Sequence, residues 1–77
     1  MNAQKRKELQ KAIDYLEKAK AIIEEIRDEE QNCFDNLPEG LQCSEKGDKF
    51  QETTDNLDTV ASDLDQSIMT VEETIQN

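Results

Sequence analysis

Residues 9–26 read LQKAIDYLEKAKAIIEEI, and residues 50–75 read FQETTDNLDTVASDLDQSIMTVEETI. Leu9, Ala12, Leu16, Ala19, Ile23 and Ile26 recur at helical spacing in the first stretch; Phe50, Thr54, Leu57, Ala61, Leu64, Ile68, Val71 and Ile75 do so in the second. Folding the chain so that paired residue numbers sum to 80 sets Leu9 against Val71, Ala12 against Ile68, Leu16 against Leu64, Ala19 against Ala61 and Ile23 against Leu57. Two stripes that mirror each other in this way predict an all-α fold, an antiparallel two-helix hairpin of coiled-coil type.

Outward from those stripes, the chain reads as a single domain over residues 1–77, with helix one at about 3–34, a turn at about 35–44 and helix two at about 45–76. Helix one lacks Gly and Pro. The turn holds the only proline, Pro38, which disfavours a helical Leu37, and Pro38–Gln42 has room for one short helical turn. Ser44 is the expected N-cap of helix two, followed by Glu45 and Asp48, whose charges suit a helix N-terminus, while Gly47 costs about 1 kcal/mol of helix propensity. Helix two is rich in Thr, Ser, Asp and Asn, so its stability has to come from packing.

The two flanks of the seam differ. With Leu9, Leu16 and Ile23 at a positions, the e positions are Arg6, Ile13, Lys20 and Arg27 on helix one and Gln51, Asp58, Asp65 and Glu72 on helix two. Opposite charges therefore face each other, and the fold-back register places Arg6 near Glu72 and Lys20 near Asp58. The g positions are Glu8, Tyr15, Ile22 and Glu29 opposite Thr53, Val60, Ser67 and Thr74. Tyr15, Ile22, Val60 and Ser67 thus form an uncharged cluster in the middle of a charged rod. A second helical pair would cover it, giving a homodimeric four-helix bundle.

Composition narrows the task. The chain is 34% apolar and 36% charged, with net charge -10 and no His. Such acidity disfavours direct nucleic-acid binding. No stretch approaches a membrane span, and the basic start runs into polar helix, so a cytoplasmic protein is expected. The absence of His removes the commonest proton relays and the Glu-x-x-His metal motif, and no loop has calcium-site spacing. The expectation is a non-enzymatic protein with no catalytic residue, cofactor or metal. A reducing compartment favours Cys33 buried on the seam with Cys43 free over a disulfide between them.

Charge is sorted along the chain: residues 1–20 carry six bases and three acids, whereas the stretch from Phe50 onward has seven acids and no base. Basic start and acidic end oppose their own helix dipoles and would offset each other side by side in a hairpin. The acidic face of helix two, with Asp58, Asp65 and Glu72, is one candidate surface for a protein partner. The exposed tip, with Leu37 and Leu41, is the other. A rod of carboxylates also suggests a nucleic-acid-mimicking inhibitor that occupies the basic groove of a host protein. The tip Phe34-Asp35-Asn36-Leu37-Pro38-Glu39-Gly40-Leu41-Gln42, then Ser44-Glu45-Lys46-Gly47, with the heptads from Leu57 to Ile68, resembles short acidic helical proteins of phages and mobile elements of Gram-positive bacteria. The resemblance implies an intracellular accessory protein and assigns no functional residues.

Overall fold

The computed structural model describes all 77 residues and is wholly helical: α1 spans Ala3–Asp35, α2 Glu39–Gln42 and α3 Glu45–Gln76. The long helices run antiparallel, since Lys20 reaches Asp65 while Arg27, further along α1, reaches Asp58, earlier on α3. The result is a rod of 58 × 15 × 12 Å with a radius of gyration of 17.4 Å, against about 11–12 Å for a compact domain of this length.

Each end of the hairpin is closed by side chains. Asn2 caps α1 by accepting from the Lys5 amide at 2.8 Å, which satisfies one of the orphan N–H groups of the first turn. At the tip, the Pro38 carbonyl accepts from the Leu41 and Gln42 amides of the single turn α2, and Gln42 Nε2 donates to the Phe34 carbonyl at 3.2 Å. Ser44 caps α3: its hydroxyl accepts from the Gly47 amide at 3.4 Å and donates to the Leu41 carbonyl. Gly47 has a steric reason. A Cβ there would lie 2.2 Å from the Gln42 carbonyl oxygen and 2.8 Å from that of Leu41, so only glycine lets α2 fold back onto the first turn of α3.

Only four residues are fully buried: Ile13, Ala61, Ile68 and Gly47. On α3 the seam is the expected one, with Ala61 and Ile68 buried and Phe50, Thr54, Leu57, Leu64, Val71 and Ile75 half-buried. On α1 the seam differs from the sequence reading. Ile13, placed on a flank by the heptads, is the most buried residue of the chain at 1% exposure, whereas Ile26 is 43% exposed and Cys33 also faces out. The inward column is the buried Ile13 with the half-buried Leu9, Leu16, Lys20, Ile23, Arg27 and Phe34, and Ala12 and Ala19 stay half-buried beside it. Apolar volume explains the rotation: turning the e column inward buries Ile13 beside the half-buried Ala12 and brings Phe34 inward in place of the smaller Cys33. Lys20 and Arg27 are accommodated because their aliphatic stems lie along the seam while their charged heads leave it.

Candidate functional site

The two flanks of the seam separate into an ionic edge and an apolar edge. On the ionic edge, Lys20 Nζ bonds Asp65 Oδ1 at 3.0 Å, and Arg27 bonds Asp58 at 2.9 Å and Asp28 at 3.1 Å. The bond to Asp65 holds the Lys20 pKa above its ordinary value against a smaller opposing effect of desolvation. The bonds to Asp28 and then Asp58 raise that of Arg27.

Neither expected pair forms: Lys20 does not meet Asp58, and Arg6 has no carboxylate partner. The cause is the lean of helical side chains toward their own N-terminus. In an antiparallel pair, α1 side chains lean toward the open end and α3 side chains toward the tip. Residues at the same level therefore point away from each other. Lys20 and Asp65, offset so that each leans toward the other, converge. Arg6 and Glu72 lean apart in the same way as Lys20 and Asp58.

The apolar edge is wider than the sequence predicted. Turning the e column of α1 inward leaves the d residues Ile26 and Cys33 outward, so Tyr15 (68% exposed), Ile22 (58%) and Ile26 (43%) now share one strip with the half-buried Ala19. At 100° per residue these four, with exposed Cys33, fall within about 60° of arc. Val60 (41% exposed) and exposed Ser67 line the same edge of α3, where the column Thr53, Val60, Ser67 and Thr74 carries no charge. The four predicted self-association residues Tyr15, Ile22, Val60 and Ser67 thus all lie exposed on this edge. Ile26 belongs with them; its heptad label concealed it, and Ile13 at an e position was the available signal.

The candidate partner-binding residues fare unevenly. Asp58 and Asp65 already hold Arg27 and Lys20, while Glu72 is exposed and forms no ion pair. At the tip Leu41 is 45% exposed and Leu37 half-buried. Cys33 and Cys43 are both exposed free thiols, so the expectation of a buried Cys33 fails; Phe34 takes the inward place instead. No group of three acidic or cysteine side chains is arranged to hold a metal ion. No helix is long and apolar enough to cross a membrane. No protein-family model, curated protein or solved structure matches the chain.

Proposed function

We propose that the chain is a non-enzymatic protein-interaction module whose hairpins pair through the apolar edge into a homodimeric four-helix bundle. The observation that carries this reading is the uncharged strip of Tyr15, Ile22, Ile26 and Val60, exposed together along one edge in the middle of the rod. Area supports it. The hairpin exposes 5681 Å², against about 4,800 Å² for a compact protein of its mass. The excess of about 900 Å² is close to one partner's share of a standard interface. The remaining acidic surface and the tip around Leu41 are then free for a different protein. The tip's resemblance supplies a setting, an accessory protein of a phage or mobile element acting on a host or phage protein.

The nucleic-acid-mimic reading is weaker, because Asp58 and Asp65 are paired within the chain and leave a sparser row of free carboxylates. Sedimentation tests the proposal. The wild type should run at about twice 8.9 kDa at micromolar concentration, and Ile22→Asp should run as a monomer. A monomeric wild type overturns the reading.

A further inference from the structure

Resting on that pairing, we infer that the occupant of the apolar edge is a second copy running antiparallel, with the tip of each hairpin beside the open end of the other. Two observations carry the direction. The first is where the strip lies. Its α1 residues Tyr15, Ala19, Ile22 and Ile26 are centred between residues 20 and 21, and on α3 the exposed apolar residue of the edge is Val60. Those levels are the middle of the rod, since α1 spans 3–35 and α3 spans 45–76. A two-fold axis crossing the rod there lays the strip on itself in both helices at once. Tyr15 meets the partner's Ile26, and Ala19 meets the partner's Ile22, a large residue opposing the small Ala19, while Val60 lies close to its own copy.

The second observation is charge. The tip half, residues 21–59, carries twelve acids and three bases, net -9. The open half, residues 1–20 and 60–77, carries six bases and seven acids, net -1. A parallel pairing sets the two -9 halves side by side; the antiparallel one sets each against a nearly neutral half. It also brings charges at the strip's border into complementary order: Lys11 stands level with the partner's Glu29, and Lys18 close to the level of the partner's Glu25. Neither lysine has a carboxylate on α3: Lys11 contacts only Glu8, and Lys18 lies 5.9 Å from the Tyr15 ring centroid.

Distance between copies tests the direction. A nitroxide on Cys33, with Cys43→Ser removing the other thiol, sits at the tip end of the strip. Antiparallel pairing separates the two labels by about 37 Å along the rod at 1.5 Å per residue, whereas parallel pairing brings them to the same level, within about 20 Å. Pulsed dipolar measurement should return about 35–45 Å. A distance under about 25 Å overturns the antiparallel inference and leaves the pairing intact. The measurement is repeated with the label on Asn32→Cys in the Cys33→Ser, Cys43→Ser chain, a position off the strip where about 40 Å is expected. Absence of coupling from both sites overturns the arrangement. If the unlabelled chain also sediments as a monomer, the pairing itself has failed.

Discussion

Lys20 Nζ lies 3.0 Å from Asp65 Oδ1, not beside Asp58, which stands closer in the fold-back register. The ion pair is set by the direction in which the two side chains lean, and it pins the level of α1 against α3 on one edge while the opposite edge stays uncharged.

That pair gives a prediction in pH. The Lys20 pKa is raised above 10.5 by its bond to Asp65. A lysine so raised contributes stability that is whole below its unfolded pKa and lost as pH climbs through its folded one. Lys20→Met keeps the stem on the seam and removes the ammonium. The melting temperature of the wild type should exceed that of Lys20→Met at pH 8, and the difference should shrink as pH rises through the region above about 10.5. A difference that stays constant from neutral to strongly alkaline pH would show that the pair does not contribute to folding.

The rotation of α1 predicts an order of mutational cost that the heptad labels reverse. Ile13→Ala empties the most buried site of the rod and should destabilise by about 2–4 kcal/mol at any protein concentration. Ile26→Ala removes a residue that faces outward, so within one hairpin it should cost less than about 1 kcal/mol. Its cost should grow with protein concentration as dimers form. Denaturant unfolding at low and high micromolar concentration checks both. Equal costs for the two variants at low concentration would restore the a and d seam.

Gly47 was legible only as a weak helix residue. Replacing it by alanine adds about 1 kcal/mol of helix propensity but drives a methyl to 2.2 Å from the Gln42 carbonyl oxygen. The clash is with backbone, so the α2 turn has to move. We expect Gly47→Ala to destabilise by about 1–3 kcal/mol net, with loss of hydrogen-exchange protection at Gln42 and Ser44. A more stable Gly47→Ala would mean that the tip has room the geometry denies.

The hairpin itself was legible because an apolar period of 3.5 is a strong signal and two mirrored copies leave one way to fold. Helix α3 followed its stripe because none of its a or d positions carries a charge. Helix α1 did not, because Ile13, Lys20, Arg27 and Phe34 compete with Ala12, Ala19, Ile26 and Cys33 for the same face. That contest is decided by side-chain volume and stem length against α3, which a heptad label does not weigh. Ion-pair partners were misjudged for a related reason: a register between Cα positions omits the lean of the side chains. The apolar edge is legible in its uncharged g positions, and the heptad pattern makes it too narrow because it sets Ile26 inward.

Helix α3 depends on its neighbour more than α1 does. Four of its threonines, Thr54, Thr59, Thr70 and Thr74, donate their hydroxyls to the carbonyl four residues back, which favours local bends over a straight isolated helix. Beyond Lys49 it has no base to pair its acids, and Glu72 and Glu73 sit at the end where the dipole disfavours them. A peptide of residues 44–77 should therefore be largely unfolded by circular dichroism at room temperature, although it spans eight helical turns or more. Adding a peptide of residues 1–36 should restore helical signal to both, and the same peptide carrying Ile13→Asp should fail to do so. A 44–77 peptide that is strongly helical alone at low micromolar concentration would place the stability of α3 in its own sequence rather than in the seam.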